Sequence, residues 1–494
     1  MAQAHYKSFI NHNAIVVFGV ALVSMKGIIL MPVIIKSVGV TIYGGFILLT
    51  SILGIAFGIS SLGAGFRAKR YLPSSTSMKE RSNLFYPQFY FHILMIIGLS
   101  ILFVLLENPL NTYLLKNEVS FSVWIIPVYL VSYFFYSQGS DYFRYTSRVH
   151  YMTLAILCFP YLHIGLIALY LHMYGSINLD TLVLSSALSA LLVALPCMWT
   201  AFRELGLKVL CYRPAGLRSD IRLGFPLVMS FIVDFILAGS DRYLIAIYLS
   251  VTDVGYYVPG YVLGSLIIFF PKAVGTALPQ LLSRAVDGGK EVEAQTMLNY
   301  AVKLFLLLAI PFTFGCLVLS KPLLTLLANH EVAGKALWVA PIVALGTIFY
   351  GLNQILSNAL FVRLKTKAIF RMNLIAAVFN LVVNIVLIFI FRNIIVAAIT
   401  TLLSYFIAFV YAYRIVSTEW PIAVGRIPII KSIAASTIML GIVSIFKAHL
   451  ENTSAGILSA TLIGLGIFIY ALCLLGFRTF SDKELLFVRK LFAH

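Results

Sequence analysis

Apolar runs long enough to cross a lipid bilayer recur from one end of this chain to the other, separated by short polar breaks. A helix needs about 20 predominantly apolar residues to span the hydrocarbon core. The chain is therefore read as an all-α integral membrane protein. Composition agrees: charged residues make up 11% of the 494, against roughly a quarter in a soluble domain. No water-soluble domain can be fitted between the runs.

The runs place fourteen spans near residues 12–35, 43–66, 85–106, 120–137, 151–173, 179–202, 224–249, 254–282, 299–319, 336–361, 372–391, 394–413, 428–446 and 455–477. The N-terminal stretch lacks a cleavage site of the A-x-A kind and reads as a retained first span. Sorting the loops by alternate side puts 27 Lys and Arg on one side and 6 on the other. That asymmetry accounts for most of the +18 net charge. It also makes the basic side, with both termini, cytoplasmic. The charge therefore calls for no nucleic-acid partner. The five cysteines show no metal-ligand spacing or paired framework and are read as packing residues.

Two motifs repeat. WIIPVYLVSYFFY at 124–136 and WVAPIVALGTIFY at 338–350 share W-x2-P-x7-F-Y, and Thr41-Ile-Tyr-Gly44 is matched by Thr252-Asp-Val-Gly255. Both offsets correspond to six spans. Six is even, so the copies keep one orientation and are related by a pseudo-two-fold axis along the membrane normal. The layout is six plus six plus two: a lobe at 1–203, a basic linker at 204–223, a second lobe at 224–416, and an extra helix pair with a tail at 417–494. Repeated halves favour a carrier that rocks around a central site. The alternative is a duplication kept for folding alone.

Span 7, FIVDFILAGSDRYLIAIYL, carries Asp234, Asp241 and Arg242 where hydrocarbon is expected; Lys26 of span 1 and Lys272 of span 8 are likewise inside spans. Charges at this depth cost several kcal/mol, about 2.5–3.5 on insertion scales. They therefore face the bundle interior or a water-filled cavity. Asp234 and Asp241 are nearly two turns apart and share a face. Salt bridges between the halves, such as Lys26 with Asp234, are the structural reading. Three deep basic residues suit an anionic cargo, since Arg and Lys are good phosphate donors. On that reading Lys26, Arg242 and Lys272 form a cationic cavity, while Asp234 and Asp241 couple transport or tune the charge. Asn353 and Gln354 of span 10 and Asn380 and Asn384 of span 11 are candidate sugar contacts, set against interhelical hydrogen bonding, the commoner use of amides in membranes. No P-loop, H-E-x-x-H or G-x-S-x-G motif is present, and the outer loops are too short for a catalytic domain, so the chain is read as a carrier and not an enzyme.

Three stretches carry a family resemblance: SVGVTIYGGFILLTSILGIAFGISSLGAGFRAKRYLPS at 37–74, AGSDRYLIAIYLSVTDVGYYVPGYVLGSLIIFFPKAVGTALPQLLSR at 238–284, and LKTKAIFRMNLIAAVFNLVVNIVLIFIF at 364–391. On these the chain resembles the bacterial polysaccharide transporters, the Wzx-type O-antigen and capsule flippases, within the superfamily that includes the multidrug and toxic compound extrusion carriers. One departure is NIIVAAITT at 393–401, where the family has a Gly-rich turn. The resemblance implies a MATE-like, two-lobed bundle without a cofactor. It would move an undecaprenyl-pyrophosphate-linked oligosaccharide from the cytoplasmic to the periplasmic leaflet of the bacterial inner membrane. Its partners are then the lipid-linked oligosaccharide, the phospholipid bilayer, and polysaccharide polymerase and chain-length proteins. A proton- or sodium-coupled multidrug exporter and a peptidoglycan-precursor flippase share the fold and stand as alternatives.

Overall fold

The structure, a computed structural model, describes residues 22, 27–75, 77–206, 214–450 and 453–479. Each of the fourteen expected spans meets a helix over its described residues; of the first, 12–35, residues 12–21 and 23–26 lie outside them. We number them α1 (Gly27–Val38), α2 (Val40–Ser60), α3 (Met78–Leu105), α4 (Ile125–Tyr145), α5 (Val149–Tyr174), α6 (Leu179–Leu205), α7 (Pro214–Tyr248), α8 (Val251–Gly264, continued by Phe269–Asp287), α9 (Glu291–Leu327), α10 (Val339–Val362), α11 (Thr366–Phe391), α12 (Ile394–Ser417), α13 (Arg426–His449) and α14 (Ala455–Gly476). Among the described residues, twelve helical stretches are long and apolar enough to cross a membrane. Among the described residues there is no strand.

Helices outrun the apolar runs where polar residues continue the same backbone hydrogen bonding. α9 begins at Glu291, not near 299, because Glu291 and Glu293 in its first turn complement the positive end of the helix dipole. α7 likewise begins about ten residues before its apolar run. α3 is capped by Ser77, whose Oγ accepts from the Glu80 N–H at 3.2 Å. Between α11 and α12, where a Gly-rich turn was expected, Arg392 takes the left-handed conformation at φ 48°. Asn393 then caps α12, its Oδ1 accepting from the Ile395 N–H at 2.9 Å.

Packing divides the chain into two compact units, Met1–Gly255 and Tyr256–His494. Within the first, α4 packs most extensively on α6, and α3 and α5 flank that pair; within the second, α10 on α12 with α9 and α11 repeats the pattern six helices on. Both central contacts are tightened by a glycine. A Cβ on Gly139 would stand 2.6 Å from that of Cys197, and one on Gly346 would stand 3.0 Å from the Leu402 Cα. Small residues that let helices approach are what drives association where no hydrophobic force acts between them. The two repeated tryptophans occupy equivalent places: Trp124 is the residue before α4 and Trp338 the residue before α10, and both are largely exposed. Amphipathic rings at helix ends suit the membrane interface. α13 and α14 pack on α9, with Met439, Val443, Leu458 and Leu462 in their shared core.

The second repeated motif folds onto its own copy. α1 and α2 are separated by Gly39 alone, at φ 89° and ψ 171°, a conformation open essentially to glycine. The α7–α8 turn is shaped by Ser250, whose Oγ donates to Asp253 Oδ2 at 2.6 Å and accepts from the Asp253 N–H at 2.9 Å. The turn lies against the start of α2 in a self-complementary contact. Thr41 Oγ1 meets Thr252 Oγ1 at 2.8 Å. A Cβ on Gly44 would stand 2.2 Å from Val251 O, and one on Gly255 would stand 2.2 Å from Val40 O. Thr41 thus meets its equivalent, and Gly44 meets Val251 as Gly255 meets Val40, as a local two-fold requires.

Candidate functional site

The intramembrane charges on α7 differ in exposure. Asp241 is buried, 3% exposed, and its Oδ1 accepts the Arg242 N–H at 2.9 Å. Arg242 is half-buried, within electrostatic reach of the phenols of Tyr43 on α2 and Tyr243 on α7. Asp234, two turns nearer the basic end, is exposed. The face that they share is therefore sealed at Asp241 and open at Asp234. Lys272 is exposed on the second half of α8, in the other compact unit. Lys26 lies outside the described residues.

α7 is held against α2 at several heights. Towards the basic end, Arg67 Nε lies 3.4 Å from Asp220 Oδ1. Next to it the backbones of Gly63 and Gly224 touch: a Cβ on either would come within 2.4 Å of the other residue's backbone. Gly63 also has φ 80°, so a side chain there would be strained as well as crowded. At the opposite end the loop between α3 and α4 clamps the α7–α8 turn. Lys116 Nζ donates to Leu249 O at 2.5 Å, at the carbonyl end of α7. Glu118 accepts from the N–H groups of Val251 and Thr252, both at 3.2 Å, and from the Thr252 hydroxyl at 3.1 Å, at the amide end of α8. A cation on a helix C-terminus and an anion on the next helix N-terminus each complement a dipole. Since Thr252 donates to Glu118, the Thr41 hydroxyl is left to donate to Thr252. Neither the clamp nor the Arg67–Asp220 pair was read from the sequence, because each joins residues more than a hundred positions apart.

In the second unit the amides of α11 are turned inward. Asn384 Nδ2 donates to Asn380 Oδ1 at 3.1 Å, the Thr400 hydroxyl donates to Asn384 Oδ1, and Asn380 Nδ2 reaches Thr401 Oγ1 at 3.5 Å. Asn380 and Asn384 are at most 1% exposed. Their geometry is the interhelical hydrogen bonding that the sequence set beside sugar contact. On α10, Asn353 is 1% exposed with Oδ1 making no hydrogen bond among the described residues, and the backbone carbonyl of half-buried Gln354 accepts from Asn358 Nδ2 at 2.9 Å.

A polar network missed by the sequence reading lies inside the first unit. Ser60 on α2, His92 and Gln88 on α3, and Gln138 on α4 are all at most 4% exposed. His92 Nε2 meets Ser60 Oγ at 2.7 Å, Gln138 Nε2 meets His92 Nδ1 at 3.0 Å, and Gln88 Nε2 donates to Gln138 Oε1 at 2.9 Å. The Ser60 hydroxyl itself donates to Phe57 O at 2.6 Å. Directions therefore agree with a neutral imidazole protonated on Nε2. The network backs a cavity of about 270 Å³ whose lining includes Lys69, Asp141 and Tyr145. The legible signal was Gln88 and His92 four apart on one face of an otherwise apolar span. Among the described residues, no three His, Cys, Asp or Glu stand together as a metal site.

The chain is 26% identical over 241 residues to the "Probable low-salt glycan biosynthesis flippase Agl15" of Haloferax volcanii, covering 49% of this chain and 50% of that one. It therefore spans about half the length of the curated relative that it matches. Two solved structures share the fold: "Lipid II flippase MurJ, inward closed conformation", with TM-score 0.71, 18% identity and coverage of 95% and 99% of the two chains, and an inward-facing multidrug resistance MATE family transporter of the MOP superfamily, with TM-score 0.62, 13% identity and coverage of 82% and 98%. The MatE family model matches residues 226–386. The polysaccharide biosynthesis protein model matches residues 10–279, more than half of the chain, and the chain belongs to that family.

Proposed function

We propose that the chain is a flippase that carries a lipid-linked oligosaccharide across the membrane by alternating access. The cargo is an undecaprenyl-pyrophosphate-linked repeat unit of O-antigen, capsule or exopolysaccharide. It enters from the cytoplasmic leaflet of the bacterial inner membrane and leaves on the periplasmic side for polymerase and chain-length proteins. The observation that carries the reading is a carboxylate and a guanidinium, Asp241 and Arg242, held on a membrane-crossing helix in a chain of the polysaccharide biosynthesis family. A guanidinium kept at that depth against its desolvation cost fits an anionic cargo. The flippase relative and the shared fold support transport, and the 27 to 6 division of basic loops supports the orientation.

In this reading Arg242, Lys272 and Lys26 attract the pyrophosphate, and Asp234 and Asp241 offset their charge or couple its movement. Asn353 and Gln354 serve the glycan, while Asn380 and Asn384 fasten α11 to α12. Surface polysaccharide, measured at matched protein levels, tests the assignment. Arg242→Ala with Lys272→Ala is expected to abolish it, and full export by the double variant overturns the cationic site. The MatE match over 226–386 favours a second reading, a proton- or sodium-coupled drug exporter with Asp234 as its ion site. A deletion strain with altered drug tolerance and unchanged glycan would select it.

A further inference from the structure

We propose that the cavity behind the Ser60–His92–Gln138–Gln88 network is a sugar-recognition subsite that takes one pyranose ring of the cargo. The ligand class rests on the transport reading above. The cavity lies wholly within the first compact unit, between the ends of α2, α3, α4 and α7 nearest the basic loops, where a cargo made on that side arrives. At about 270 Å³ it is close to the lower end of ligand-binding pockets.

Its chemistry selects among occupants. An acyl chain would leave the buried Gln88 Oε1 facing hydrocarbon, which costs free energy without a compensating bond. A phosphate would meet Lys69, but also the Asp141 carboxylate, which Lys69 and Arg144 only offset. A neutral, many-hydroxyl ligand meets neither objection. The Asp141 carboxylate and the amide of Gln88 meet it as acceptors and donors, while Phe57, Phe66 and Tyr145 supply the apolar walls that cover a ring. Gln88 has given one N–H to Gln138, and its Oε1 remains directed to the space beside Gly65, 3.6 Å from where a Cβ would stand there.

Gly65 is the second observation. Its φ of −79° and ψ of 5° are open to any residue, so the backbone does not call for glycine. A Cβ would meet only Gln88 Oε1, the Tyr145 hydroxyl and Lys69 Cε, at 3.6, 3.8 and 4.0 Å. Those are ordinary contacts. Alanine fits, and any longer side chain must enter the cavity. What glycine preserves here is room.

The test uses purified full-length protein and saturation-transfer NMR with methyl glycosides of hexoses and N-acetylhexosamines. At least one class is expected to bind wild type and Gly65→Ala alike, with Gly65→Leu weaker by about tenfold or more. Equal signals from wild type and Gly65→Leu, or no signal from either class, overturn the proposal. If Gly65→Leu does not fold, Asp141→Asn, isosteric and partly exposed, takes its place. It is expected to weaken binding severalfold at unchanged thermal stability, and unchanged binding overturns the proposal. Because binding is read on purified protein and export in cells, failure of the subsite and failure of the transport reading are separate results.

Discussion

Replacing Gly44 by alanine probes the self-complementary contact between the start of α2 and the α7–α8 turn. The new Cβ would stand 2.2 Å from Val251 O and 3.0 Å from Gly255 N. Carbon and carbonyl oxygen ordinarily approach to about 3.3–3.6 Å, so the backbones must part by roughly 1 Å. Overpacking of this kind costs about 1–3 kcal/mol. Alanine returns up to about 1 kcal/mol through helix propensity. The net, about 1–2 kcal/mol, is a factor of about 5–30 in the ratio of closed to open contacts. The pair Thr41→Cys and Thr252→Cys reports closure, because the hydroxyls they replace are 2.8 Å apart and a disulfide needs Cβ atoms about 3.5–4.5 Å apart. In a background without Cys158, Cys197, Cys211, Cys316 and Cys473, oxidant is expected to join the pair rapidly, and Gly44→Ala to slow it severalfold. Gly255→Ala makes the equivalent clash, 2.2 Å from Val40 O, and is expected to match Gly44→Ala. The double variant should cost less than the sum, since the first substitution already parts the backbones. Unchanged crosslinking, or additive and unequal effects at Gly44 and Gly255, would refute the reasoning.

Three further outcomes are expected. Glu118→Ala removes the partner of two N–H groups at the start of α8 and is expected to destabilise by about 1–2 kcal/mol, read as a lower midpoint in thermal unfolding and slower closure of the same cysteine pair. Asn384→Leu strips the central member of the α11–α12 network and leaves the Thr400 hydroxyl and Asn380 Oδ1 without it, for a loss of about 1–2 kcal/mol in a detergent-based unfolding assay; no loss would return Asn384 to the ligand-facing residues. Gly63→Ala, strained at φ 80° and 2.4 Å from the Gly224 backbone, is expected to lower stability by about 2 kcal/mol or more, whereas Gly65→Ala two residues on is expected to be neutral.

Much of the fold was legible because membrane helices advertise themselves through hydropathy, and among the described residues every apolar run met a helix. The repeat was legible for a different reason. Tryptophan is scarce, and Trp124 and Trp338 mark the starts of equivalent helices, while Thr41-x-x-Gly44 and Thr252-x-x-Gly255 proved to be the two sides of one contact. Charge on α7 was equally visible, since three ionisable residues stand out in an apolar run. Depth was not. Asp241 is buried and Asp234 exposed although they share a face, because exposure depends on which neighbour covers each turn. The network around His92 escaped for the same physical cause: Ser60, Gln88, His92 and Gln138 come from three helices, and no local period brings them together.

The central claim, transport of an anionic lipid-linked glycan through a cationic site, is tested most directly in proteoliposomes. Purified protein is reconstituted with a fluorescent lipid-pyrophosphate-linked oligosaccharide confined to one leaflet, and a membrane-impermeant quencher reports its appearance on the other. The account predicts protein-dependent transfer by wild type that Arg242→Ala with Lys272→Ala removes. Transfer by wild type no faster than in protein-free vesicles, or transfer that the double variant retains in full, would contradict it.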